Sequence, residues 1–271
     1  MDADMLVTLG RGLTVQLQKA WNARPGVGRF HDLELVPDAD LCEIVSDHCR
    51  DIGRPLLLAL REVPRMAECL AAARRRGKRI VTLMTDLAAE ARDAHVGIDN
   101  VAAGRTAAFL VGQLLGQASV GLLLGNSRIR SHIDREIGFR TGLRMVARGL
   151  GPIVEAVGGS SSITTRQAVE GMLATMPTLG ALYTIGPGSA GVVEAIRRSG
   201  RPVMVIGHEV NAVTAPLIAD GEIHFALGCD PASLLDKALS ILSGRHGMAE
   251  IEYLDFSIHT RMNLPGYSNL V

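Results

Sequence analysis

The chain has 271 residues, long for one ordinary domain and comfortable for two of about 130 each. Its 28 Lys and Arg balance its 28 Asp and Glu, so no global field attracts a phosphate backbone, and 3% aromatic content supplies no ring platforms for single-stranded nucleic acid. A 47% hydrophobic share excludes a disordered chain, and no apolar run approaches the roughly 20 residues of a membrane span.

Along the chain, short apolar runs alternate with longer amphipathic ones. Strands are predicted over 5–9, 32–36, 56–60 and 79–84, with helices over 13–22, 41–52 and 65–77. The last of these helices ends in Arg74-Arg75-Arg76-Gly77, a basic turn and a glycine, as suits a helix C-terminus. Asp99-Asn100 reads as an N-cap pair before a long helix over 103–115. After a break near Gly116 and Gln117, strands are predicted over 119–124, 153–157, 181–185 and 203–206, and helices over 133–148, 165–176, 190–199 and 213–221. A helix over 231–243 and a strand over 250–259, which no helix follows, close the pattern. Strands that are apolar throughout, alternating with helices, give an α/β fold of parallel sheets. Two runs of about four strand–helix units imply two similar lobes.

Several chemistries are testable by motif. Gly186-Pro187-Gly188-Ser189-Ala190-Gly191 follows a strand and opens a helix, and Glu209 lies at the end of the next strand. This is the local form of a dinucleotide fingerprint, with glycines for the pyrophosphate and an acid for the ribose. The plainer reading is a tight turn between strand and helix, because the fingerprint ordinarily sits on the first such turn of its domain and this is the third. His208-Glu209 begins a zinc-protease motif whose second histidine is replaced by Ala212. The eight histidines (31, 48, 95, 132, 208, 224, 246 and 259) form no pair at metal-ligand spacing, so no metal is expected. Neither a nucleophile elbow nor a phosphate loop is present. The cysteines at 42, 49, 69 and 229 form no CxxC pair and read as small buried hydrophobes in a reducing compartment. The N-terminus has no basic region followed by an apolar stretch, so the cytoplasm is the expected location. Arg135, just beyond a strand end, could fork onto vicinal hydroxyls or a carboxylate.

Four segments order these pieces: VGIDNVAAGR from Val96 to Arg105, HIDREIGF from His132 to Phe139, VIGHE from Val205 to Glu209, and GCDPA from Gly228 to Ala232. In this order and spacing they resemble the effector-binding domain of LacI-type transcription regulators, which shares its fold with periplasmic sugar-binding proteins. The resemblance implies two doubly wound parallel-sheet lobes joined by a hinge with three crossings. On this reading residues 1–116 with 225–247 form the N-terminal lobe, and 117–224 with 248–271 the C-terminal lobe. It implies a ligand held between the lobes by Arg135, Glu209, His208 and Phe139, by the backbone at Gly186 and Gly188, and by Cys229 where the family has Gln. Trp21, Phe139, Tyr183 and Phe225 are the aromatic candidates for stacking on a sugar face.

The implied function is sensing a small polar effector, a sugar or polyol, by a repressor-type regulator, with no catalytic residue, no cofactor and no membrane partner. The family implies a homodimer. DNA would be bound only through a helix-turn-helix headpiece that this sequence lacks, so the chain is a fragment of a longer regulator or a stand-alone sensor, and alone should not bind duplex DNA. Two alternatives are a solute-binding receptor of a sugar transporter and an NAD-dependent enzyme using the glycine turn. Arg135 and Glu209 are each expected to be partly unpaired until ligand arrives. Arg135→Ala should then weaken binding by about 1.5–3 kcal/mol and hardly alter the melting temperature of the ligand-free protein.

Overall fold

In the computed structural model, which describes residues 2–115, 118–146, 151–158, 161–245 and 250–264, the expected alternation is realised twice. The first run comprises β1 (Ala3–Val7), α1 (Arg11–Asn22), β2 (Gly28–Asp32), α2 (Asp38–His48), β3 (Leu56–Ala59), α3 (Met66–Arg75), β4 (Ile80–Leu83) and β5 (Ala94–Gly97). The second comprises α4 (Asn100–Leu114), β6 (Ser119–Leu124), α5 (Arg130–Val146), β7 (Ile153–Val157), α6 (Ser162–Thr175), β8 (Leu179–Thr184), α7 (Ser189–Ser199), β9 (Met204–His208), α8 (Thr214–Ala219) and β10 (Phe225–Gly228). The chain then adds α9 (Pro231–Leu242), β11 (Ile251–Tyr253) and β12 (Ser257–His259).

The strands form two six-stranded sheets, ordered β11-β5-β4-β3-β1-β2 and β12-β10-β9-β8-β6-β7. Every neighbouring pair is parallel except β10 with β12. Central strands β1, β3, β4 and β5 are buried at every residue, whereas the edge strand β7 alternates exposed and half-buried. That contrast follows from helices covering both faces of a parallel sheet. In the first sheet, alternate residues of β1 feed different cores. Met5 and Val7 join Trp21 of α1 and Leu235 of α9, while Leu6 joins Leu41 of α2 and Leu70 of α3. The second core gathers Leu182 and Val205 with Val169 and Met172 of α6 and Val192 of α7.

By its contacts the chain separates into two units. The first holds residues up to Ile98 with Arg128–Ser131 and Cys229–Asp255, and the second holds Asp99–Ser127, His132–Gly228 and residues from Phe256 onward. These boundaries differ from the expected ones at four places, the first being Arg128–Ser131, expected with the second lobe and found in the first unit. Helix α4, expected in the first lobe, lies in the second unit, because Gly104, Gly138 and Gly142 let its backbone meet that of α5. A Cβ at Gly104 would run into the Arg135 carbonyl, and one at Gly138 into the Val101 carbonyl. Residues 225–228, expected with the first lobe, form β10 and pair with β9. The single strand expected over 250–259 is two strands in different sheets: β11 pairs with β5, and β12 with β10. The strand order thus changes sheet three times, after β5, β10 and β11. The break expected at Gly116 and Gln117, the helix end at 147–148, and residues 248–249 and 265–271 lie outside the described residues. The strand expected over 32–36 sits at Gly28–Asp32 instead. There Gly28 has φ +112°, and a Cβ would collide with the Ala3 backbone of β1.

Candidate functional site

The polar centre of the second unit is assembled by three elements. Strand β9 runs apolar through Val205 and Ile206, and Glu209 follows it at the carboxyl end, the place where open parallel sheets bind ligands. Helix α5 brings Arg135 across, and the N-terminal turn of α4 brings Asn100. The glycine contacts between α4 and α5 make that approach possible. Asp99 caps α4 by accepting the Ala102 amide at 2.8 Å, as the sequence suggests, but Asn100 has a different role. Its Oδ1 accepts from Arg135 Nε at 2.8 Å. Arg135 also donates from Nη2 to Glu209 Oε1 at 3.0 Å and from Nη1 to the Ile185 carbonyl at 3.3 Å.

Arg135 and Glu209 are 7% and 8% exposed, so their pairing is desolvated. Burial pushes the Glu209 carboxyl above its usual range, and the Arg135 guanidinium opposes that rise. The expectation that both side chains wait unpaired for a ligand is therefore corrected: they neutralise one another, because two isolated buried charges would be far more expensive. Capacity nevertheless remains. The three described bonds use three of the five guanidinium N–H groups, and Glu209 retains lone pairs beyond the one Arg135 takes. Glu209 has φ +63°, a conformation sparsely populated by non-glycine residues. Its amide donates to the Leu227 carbonyl at 3.0 Å, and its carbonyl accepts from Thr214 Oγ1 at 2.7 Å.

His208 sits beside the pair with Nε2 2.7 Å from the Tyr183 hydroxyl. Burial, then the Arg135 charge, pulls its pKa well below the ordinary histidine value. His132 is pulled down to about 3 by the same two causes, burial first, and its Nδ1 accepts the Asn126 amide at 3.0 Å. Two buried polar atoms at the strand ends, Thr184 Oγ1 and His208 Nδ1, lack a hydrogen-bond partner. Such atoms are satisfied in most proteins by water or a bound group. The array offers donors and acceptors side by side, which suits a hydroxyl cluster.

The other predicted residues fall elsewhere. Phe139 is fully buried and stacks at 4.5 Å on Tyr183, also fully buried, so neither can present a face to a sugar. Trp21 is equally withdrawn, in a core of the first unit. Phe225 is half-buried on β10. Gly186 lies where the turn after β8 meets Gly125 and the His132 ring, with no room for a side chain to move freely. Gly188 has φ +104° and caps α7, and a Cβ there would strike Thr165. Gly191 abuts the Ser162 carbonyl. Packing against α6 thus accounts for Gly188 and Gly191 without a pyrophosphate. Cys229 is assigned to the first unit, half-buried against its core. Asn100, Thr184 and His132 were missed as site residues. Asn100 and His132 lie within the VGIDNVAAGR and HIDREIGF segments without being singled out there, and Thr184 carries no local motif.

Residues 56–244, more than half of the chain, match the family model described as a periplasmic binding protein domain. No curated protein sequence matches the chain. Solved structures share the fold at low identity. A glucose-galactose binding protein from Geobacillus stearothermophilus aligns with TM-score 0.84 and 17% identity, covering 98% of this chain and 99% of its own. A transporter solute-binding protein from Burkholderia graminis, in complex with D-arabinose, gives TM-score 0.87 at 17% identity over 98% and 97% of the two chains. A sugar-transport periplasmic component from Hahella chejuensis gives 0.78 at 23% identity over 94% and 99%.

Proposed function

Since this chain belongs to the periplasmic binding protein domain family, we propose that it binds a monosaccharide or related polyol and serves as the solute-binding component of a sugar transport system. It is a binding domain and not an enzyme. The observation that carries this reading is the buried Arg135–Glu209 pair with spare donors and acceptors, held by strained backbone at the carboxyl ends of the strands. A sugar hydroxyl both donates and accepts, so an adjoining guanidinium and carboxylate can each take one role. Proteins of this fold bound to D-arabinose and to D-allose support the ligand class.

A second reading, the effector domain of a LacI-type regulator acting as a homodimer in the cytoplasm, is favoured by the segments around Asn100, Arg135 and Glu209 occurring in family order. Calorimetric titration with aldopentoses, aldohexoses, polyols and NAD tests the common core. At least one sugar or polyol should bind, and Arg135→Lys should weaken it because an ammonium cannot reproduce the guanidinium fork. Uptake of NAD with no response to any sugar or polyol would overturn the reading. Cell fractionation separates the two roles: recovery with the envelope favours transport, and recovery in the cytoplasm favours regulation.

A further inference from the structure

We propose that Asp4, His31 and His48 in the first unit form a binding site for a divalent transition-metal ion of the zinc type. The three residues come from β1, the edge strand β2 and the last residue of α2. One ligand atom from each lies within 4.8 Å of the others. His48 Nδ1 is 2.9 Å from Asp4 Oδ2, and His31 Nε2 is 3.8 Å from Asp4 Oδ1. The imidazole rings meet edge to face with centroids 4.5 Å apart. A tetrahedral ion with bonds of about 2.0–2.2 Å separates its ligand atoms by roughly 3.3 Å, so small side-chain adjustments close the set.

A second observation points the same way. His31 Nε2 is buried and makes no hydrogen bond of ordinary length, an arrangement a metal ion would satisfy. The side chains of His31 and His48 remain 27% and 19% exposed, leaving an entry path and a fourth position for water. Two imidazoles and one carboxylate select zinc, cobalt, nickel or copper over magnesium and calcium, which prefer all-oxygen sets. Asp4 also takes Arg54 at 3.2 Å and Arg29 at 3.4 Å. These guanidiniums orient the carboxylate and temper affinity for a cation. Arg54 is itself held by Asp2 and Asp51, so three carboxylates face two guanidiniums around the site. On binding, the ion replaces the proton between His48 Nδ1 and Asp4 Oδ2, which leaves to solvent. The ion would tie β1, β2 and α2 together. The spacing of these residues along the chain forms no local motif, so only the fold brings them together.

The test loads the whole chain with Zn²⁺ or Co²⁺. Zn²⁺ should raise the melting temperature to a plateau at one equivalent, and Mg²⁺ and Ca²⁺ should not. Co²⁺ should give visible ligand-field absorption of a nitrogen and oxygen set without thiolate charge transfer. His31→Gln and His48→Gln should each weaken binding by roughly 100-fold or more, beyond the loss typical of outer-shell changes. Both residues are partly exposed, so the metal-free variants should stay folded. The proposal is overturned by no Zn²⁺ uptake at saturating excess, by uptake undiminished in His31→Gln, or by a Co²⁺ spectrum dominated by thiolate bands from the cysteines.

Discussion

The fourth strand in each sheet ends in the same backbone device but with different chemistry. After β4, Met84 has φ +66° and its amide donates to the Val96 carbonyl of β5 at 2.9 Å. After β9, Glu209 has φ +63° and donates to Leu227 of β10 at 3.0 Å. The left-handed residue therefore belongs to the topology: the amide must turn to reach the next parallel strand. What the side chain does there is a separate choice. The first unit places an apolar Met84 at the turn and closes its nearby charge locally. Arg92 grips both oxygens of Asp86, at 2.6 and 2.8 Å, and Thr82 bridges Asp86 to His95. The second unit places a carboxylate at the turn and pairs it with an arginine that still has donors to give. A duplicated scaffold thus carries a self-satisfied network in one copy and a receptive one in the other.

The largest test of that contrast is Arg135→Ala. It strands Glu209 as a buried charge and should destabilise the second unit by about 3–5 kcal/mol in chemical denaturation. Adding Glu209→Gln to it should recover a large part of the loss. If the single variant unfolds like the parent, the pair contributes nothing to the ligand-free protein and the site stands open as the sequence implied.

Acid should come next. His95 in the first unit is pulled from 6.5 to about 4, chiefly by burial, and His132 and His208 in the second are lowered as well. A lowered folded pKa means the unfolded chain takes up protons first. Stability is therefore full above about pH 6.5 and is lost as pH falls towards 4, by on the order of 3 kcal/mol for His95. Melting curves across this range should show the loss, and His95→Gln should flatten the share belonging to the first unit. A profile indifferent to pH between 4 and 6.5 would mean these rings are not held neutral.

Gly188→Ala is expected to lose about 1–3 kcal/mol, because it combines a φ of +104° with a collision against Thr165. Sugar affinity in the folded fraction should persist if the glycine serves packing and not a ligand. The smallest effect belongs to the surface of the second unit. Arg140, on the same helix as Arg135, pairs with Glu136 and Glu155 but is about one-third exposed. Solvent screens such pairs, so Arg140→Ala should change stability by only about 0.2–1 kcal/mol. A loss as large as that of Arg135→Ala would deny that burial is what separates the two arginines.

Local pattern by itself determined much of this protein. Apolar runs of strand length and amphipathic runs of helix length placed β6 and β7 at their observed residues, and α9 within one residue of its observed end, because burial on one or both faces dictates the period of apolar residues. The apolar run of β9 also placed Glu209 at that strand's carboxyl end, since a polar residue after an apolar strand must emerge there. Tertiary structure alone decided the rest. Residues 225–228 were not read as a strand, and it is pairing along the edge of β9 that makes them one. The split of 250–259 between two sheets has no local signature, because pairing partners, not propensity, select each three-residue strand. Asn100 reached Arg135 only through the close contact of two glycine-bearing helices. Phe139 and Tyr183 pack against each other in the core, and nothing in their spacing distinguishes a buried ring from one that faces a ligand. Contacts between residues far apart in sequence obey the geometry of packed elements, and a linear pattern carries no coordinate for that distance.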